Sequence, residues 1–107
     1  MRNLLVYGLI VFGIMLSGPL FAQDGFLKKG NMAYSDQAYA RAIRYYEKYL
    51  AKNFKKEAVE NLADSYRRLS EYEEAAVWYE KLVKLKQVEP ETYLRYGQML
   101  ISAQNYP

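Results

Sequence analysis

The sequence predicts an all-α chain of antiparallel helix hairpins, and three observations carry that expectation. The stretch Tyr39–Leu50 (YARAIRYYEKYL) returns 33 residues later as Tyr72–Val83 (YEEAAVWYEKLV). Both copies read Tyr-x-x-Ala-apolar-x-aromatic-Tyr-Glu-Lys-apolar-apolar, and a period of roughly 20–50 residues marks a protein built from stacked repeats. Around and between the copies, apolar residues recur at i, i+4, i+7 and i+8, the stripe of a half-buried helix. Short polar breaks at Ser35-Asp36-Gln37 and Ser70-Glu71 divide these stripes into pairs, with Ser and Asp expected as turn and cap residues.

The elements follow in order. Met1-Arg2-Asn3 is a short basic start, Leu4 to Leu16 is largely apolar, and Ser17-Gly18-Pro19 interrupts it before Leu20-Phe21-Ala22 and polar Gln23-Asp24. A basic start, an apolar core of about 7–15 residues and a small residue at the cut describe a secretory signal peptide. Residues 1–22 are therefore expected to be removed after Ala22. The competing reading is a retained membrane anchor, since residues 4–21 approach the roughly 17–25 needed to span a bilayer. A first helix should then present Phe26, Leu27, Gly30, Ala33 and Tyr34. A second, over residues 40–52, should bury Ala42, Ile43, Tyr46, Tyr49 and Leu50. A third, over 56–69, should bury Val59, Leu62, Ala63 and Tyr66. A fourth, over 73–85, should bury Ala75, Ala76, Tyr79, Leu82 and Val83. Pro90 suits the first turn of a fifth, because its missing N–H has no partner there anyway; that helix presents Tyr93, Tyr96, Gly97 and Leu100.

Composition narrows the chemistry. Of twelve tyrosines in 107 residues, eleven lie from Tyr34 onward, which points to aromatic-rich helix packing. Fifteen basic and twelve acidic residues give a net charge of +3 with the signs interspersed, so no nucleic-acid partner is expected. The absence of histidine and cysteine excludes thiol chemistry, disulfides and His- or Cys-based metal sites. No cofactor and no catalytic residue is expected. Glu57, Glu60 and Asp64 fall on one side of a helix and could hold a cation, but a solvated face is the simpler reading. Glu71, Glu73 and Glu74 sit where negative charge stabilises a helix N-terminus. Trp78 lies on a second helix, either packed against the next hairpin or exposed as an interface anchor.

In its spacing the chain resembles the tetratricopeptide repeat, a helix-turn-helix unit of about 34 residues. The second unit, residues 56–89, supplies Val59, Leu62, Ala63, Tyr66, Tyr72, Ala75, Tyr79 and Leu82 at the repeat's signature positions. The first, residues 23–55, supplies Phe26, Lys29, Gly30, Ala33, Tyr39, Ala42, Tyr46 and Tyr49. The third, residues 90–107, supplies Tyr93, Tyr96, Gly97, Leu100 and Tyr106. Lys29, Tyr49, Leu82, Phe54 and Gln87 depart from the pattern, and the first unit is one residue short. The resemblance implies a right-handed superhelix of about two and a half repeats. In it, Gly30, Ala63 and Gly97 would let paired helices approach while Tyr46 and Tyr79 fill the space beside them. Tyr106 stands where a further second helix should begin, so the natural protein is expected to continue.

The resemblance also implies where a ligand would bind. In this family the first helices line a concave groove. Here that gives Leu27, Lys28, Asn31, Tyr34 and Ser35 from the first unit, and Glu57, Glu60, Asn61, Asp64, Arg67 and Arg68 from the second. The third adds Glu91, Leu94, Arg95, Gln98 and Ile101. Some members clamp a terminal carboxylate with two lysines, two asparagines and an arginine. Asn31, Asn61 and Arg95 match that set in phase, but Leu27 and Glu91 replace its lysines. Arg67, Arg68 and Arg95 are expected to pair carboxylates bidentately. The implied function is non-catalytic: an exported scaffold that binds a protein or peptide. An export signal followed by such repeats is also similar to the start of large Gram-negative envelope proteins with an OmpA-like peptidoglycan-binding domain, some serving type IX secretion or gliding. That likeness implies a periplasmic, outer-membrane-associated protein tied to peptidoglycan by a domain beyond this chain. A membrane-anchored adaptor, a nucleic-acid binder and an enzyme are the alternatives.

Overall fold

The computed structural model describes residues 24–105; the expected export segment and Tyr106 lie outside the described part. Five helices succeed one another: α1 over residues 24–35, α2 Tyr39–Leu50, α3 Lys56–Arg68, α4 Tyr72–Val83 and α5 Pro90–Asn105. Among the described residues there is no strand. Each helix from α2 to α4 packs on the next in the chain, and α1 meets α2 where the Tyr46 ring lies against Gly30. The result is an all-α, repeat-like row of hairpins.

Turn chemistry repeats with the sequence. After α1 the Ala38 N–H donates to the Ala33 carbonyl at 2.8 Å and the Gln37 N–H to the Tyr34 carbonyl at 3.0 Å. After α3 the Glu71 N–H donates to Tyr66 at 2.9 Å and the Ser70 N–H to Arg67 at 3.0 Å. These paired bonds are the Schellman motif, which needs one left-handed residue. Gln37 (φ 59°) and Ser70 (φ 61°) fill that role without being glycine. The expected side-chain caps are not what closes the turns: the residues before α2 and α4 are Ala38 and Glu71, and neither makes a side-chain cap bond. Backbone geometry does the work assigned to Ser35 and Asp36.

The linkers between hairpins differ by one residue, 51–55 against 84–89. The longer one accommodates its extra residue with Lys86 in the left-handed region, φ 64°. The Lys56 ammonium holds it to α3, donating to the Gln87 carbonyl at 3.2 Å and facing Glu89 at 3.7 Å.

The core runs along the row. On α3, Ala58, Val59, Leu62, Ala63, Ser65 and Tyr66 are all buried. At about 100° per residue these wrap nearly half the helix, because α3 lies between α2 on one side and α4 on the other. The expected packing residues Ala42, Tyr46, Ala75 and Tyr79 are buried on α2 and α4, while Tyr39 and Tyr72 are half-buried. Ser65, the buried polar residue, donates its hydroxyl to the Asn61 carbonyl at 2.7 Å.

Two of the three small residues behave as expected. A Cβ on Gly30 would lie 2.9 Å from Cδ1 and Cε1 of Tyr46, so the close approach there requires glycine. Ala63 is fully buried. Gly97 departs from the expectation: a Cβ there would meet nothing within 4 Å. No described helix lies against that face of α5, so no close approach exists for Gly97 to permit.

Candidate functional site

Residues from α1, α3, α4, the following linker and α5 line one open groove of about 440 Å³. Eight of the sequence-predicted residues meet there: Tyr34, Glu60, Asn61, Asp64, Arg67, Arg68, Glu91 and Arg95. Lys28 and Asn31 line a different hollow along α1, beside Leu27 and Ser35. Gln98 is exposed on α5 and is not part of the groove lining.

Asp64 is the hub. Its Oδ2 accepts the Tyr34 hydroxyl at 2.6 Å and the Arg68 Nε–H at 3.4 Å. Its Oδ1 accepts both the Nε–H of Arg67, at 3.1 Å, and the Nη2–H of the same guanidinium. Burial alone would raise the Asp64 pKa. The hydrogen bonds from Tyr34 and Arg67, with the charges of Arg67 and Arg68, outweigh it and hold the carboxyl below its ordinary value. Tyr34 is pushed the other way, first by burial and then by the carboxylate it serves.

The three arginines, expected to pair carboxylates bidentately, each already meet a carboxylate of this chain. Arg67 spends two donors on Asp64 and its side chain is only 20% exposed. Arg95 reaches Glu91 at 3.3 Å. Arg68 is the most accessible, at 51%, with its Nε directed to Asp64 and its guanidinium 5.8 Å from the Tyr39 ring centre. Tyr39 in turn meets Tyr34 edge-on, centroids 5.9 Å apart. The groove floor is a mutually neutralised network rather than a bare cationic clamp.

The two asparagines also have another task. The Tyr46 hydroxyl donates to Asn31 Oδ1 at 2.6 Å and accepts from Asn61 Nδ2 at 3.0 Å. They bracket a buried tyrosine from α1 and α3, which a fully buried phenol requires. The next hairpin puts charged residues at the same positions but bonds differently: the Tyr79 hydroxyl has Arg67 as its hydrogen-bond partner, and Asp64 and Arg95 act on it through charge. Tyr79 stands in the place of Tyr46, Asp64 in that of Asn31 and Arg95 in that of Asn61. Burial raises the Tyr79 pKa and Asp64 adds to it, while Arg67 and Arg95 draw it down. Sequence reading missed Tyr79 as a groove residue, and Leu82, Glu89 and Thr92 with it. The signal was present: where the first unit spaces Asn, Tyr and Asn around its hairpin, the second spaces Asp, Tyr and Arg.

The acidic row does not form a cation site. Glu60 faces Lys56 at 3.8 Å, Asp64 is committed as described, and no cluster able to hold a metal occurs among the described residues. No helix among the described residues is long and apolar enough to cross a membrane. Comparison with protein-family models, with curated proteins and with solved structures finds no match to this chain.

Proposed function

We propose that this chain is a non-catalytic scaffold of the tetratricopeptide type that binds a protein or peptide segment in the groove between α1, α3 and α5. The observation that carries this reading is the convergence of Tyr34, Asn61, Asp64, Arg67, Arg68 and Arg95 on one groove from three successive first helices. The 33-residue recurrence of both sequence and turn geometry supports the repeat type. The groove suits an extended polar segment: Arg68 and Arg95 offer remaining N–H donors, Glu60 and Glu89 offer acceptors, and Leu94 and Ile101 stand exposed on α5. The right-handed superhelical stacking, export, and attachment of a longer envelope protein to peptidoglycan belong to the same proposal. Their support is the repeat pattern and the character of residues 1–22.

Site-specific photo-cross-linking tests the groove. A photoreactive residue at Arg68, expressed in cells of the source, should capture a discrete partner, and one at exposed Lys84, which does not line the groove, should not. Equal capture from both positions, or none from Arg68, would remove the groove from the function. Sequencing the N-terminus of the exported protein tests the leader: a chain starting at Gln23 supports cleavage, and one starting at Met1 overturns it.

A further inference from the structure

We propose that the outward face of α2, with the linker that follows it, is a contact surface for an anionic lipid bilayer. The charges are mixed over the whole chain but not along its length. Residues 24–55 hold seven basic and three acidic residues, a net charge of +4, whereas residues 56–89 hold six and eight, a net charge of −2. On α2 and the turn after it the excess is ordered. Arg41, Arg44, Lys48 and Lys52 are all exposed. At about 100° per residue they fall within an arc of about 80°, opposite buried Ala42, Ile43, Tyr46 and Tyr49. Among the described residues none of these four cations forms an ion pair, while Lys56, Arg67, Arg68, Lys84 and Arg95 all do.

The hairpin gains nothing from this stripe, because like charges four residues apart repel. Nor does the repeat call for it: 33 residues later the same places hold Glu74, Val77, Lys81 and Leu85. An apolar element accompanies the charge. The stripe runs into Lys52-Asn53-Phe54-Lys55-Lys56, where Phe54 is 63% exposed among lysines. At the start of α2, Arg41 shares a hollow of about 290 Å³ with Lys29, Met32, Ala33, Asp36 and Tyr45, and Met32 is also exposed. The apolar face of α2 is spent on the hairpin core, so the helix meets a bilayer with its cations and leaves insertion to Phe54. A line of cations ending in an exposed aromatic matches a plane of anionic headgroups with an apolar layer beneath it. A soluble acidic partner would use the charges and leave Phe54 in water. α2 lends no residue to the groove lining, so this face and the groove draw on different residues.

Vesicle flotation of the exported protein, recovered from cells of the source, tests this. It should bind phosphatidylcholine vesicles containing about one third phosphatidylglycerol, fail to bind pure phosphatidylcholine, and come off as salt rises. Arg44→Gln with Lys48→Gln should weaken binding about tenfold or more, at roughly fivefold for each charge lost beside an anionic surface. Lys81→Gln, at the place on α4 equivalent to Lys48, should change it little. The chain has no cysteine, so Phe54→Cys and Val77→Cys each accept a single environment-sensitive dye. On anionic vesicles the dye at position 54 should shift to the blue, and the dye at exposed position 77 on α4 should not. None of these variants should melt below the parent, because every replaced side chain is exposed. Equal binding to both kinds of vesicle, as a retained leader would give, overturns the proposal. Release by inorganic phosphate beyond that by chloride of equal ionic strength also overturns it and assigns the stripe to free phosphate. So does weakening by the Arg44 and Lys48 replacements with no shift at position 54, which assigns the stripe to soluble polyanions.

Discussion

At the scale of single residues, identical amino acids in equivalent places have opposite mutational signs. Gly30→Ala forces a carbon against the buried Tyr46 ring and should destabilise by about 1–3 kcal/mol. Gly97→Ala meets nothing and should stabilise by up to about 1 kcal/mol through helix propensity. Thermal melts of the two variants should move in opposite directions. Asp64→Asn should cost about 1–3 kcal/mol, because it removes the charged acceptor of Tyr34 and Arg67. It should also change the acid limb. A carboxyl held low in the folded state contributes stability that is complete above its unfolded pKa and disappears as pH falls through the folded one. Below about pH 4, where unfolded aspartates protonate, the parent should lose stability more steeply than Asp64→Asn in denaturant midpoints taken from pH 7 to pH 2.

At the scale of elements, the hairpin turns hold a correctable strain. Gln37 and Ser70 occupy left-handed conformations that suit glycine. Ser70→Gly should stabilise by about 0.5–1 kcal/mol, and Ser70→Val should destabilise by more than that, as read from urea midpoints. The helices themselves were legible in the sequence because Ala42, Tyr46, Ala75 and Tyr79 keep helical phase across two copies. The turns were only half legible. Ser35, Asp36 and Ser70 marked their places, but paired backbone bonds leave no trace in residue type when the left-handed residue is not glycine. The groove was legible by helix phase for Asp64, Arg67 and Arg95. It was misread for Asn31, which lines a different hollow; for Asn61, which does line the groove, spacing alone does not say that its amide also serves a buried phenol on the neighbouring helix.

At the scale of the molecule, stability should be graded along the row. α3 buries six residues between two neighbours, whereas α5 has Met99 as its buried residue. In a repeat array stability is close to a sum of unit and nearest-neighbour terms. Amide exchange should therefore be slowest in α3 and α4 and fast in α5. Uniform protection across α3 and α5 would show a single cooperative unit instead.

The change from neutral Asn31 and Asn61 around Tyr46 to charged Asp64 and Arg95 near Tyr79 has a consequence for folding. Arrays of similar hairpins are prone to pair out of order, with one unit skipped. If α5 docked on α2 in place of α3, Arg95 would arrive at the seat of Asn61, opposite the neutral amide of Asn31 and away from Asp64. Arg95 would carry its own partner Glu91 along, but the buried Tyr46 hydroxyl would lose the Asn61 amide that donates to it, so that arrangement is disfavoured while the shared alanines and tyrosines would otherwise permit it. The neutral set and the charged set act as matched keys, and exchanging them should be read as misassembly on refolding rather than as a change in the final contacts.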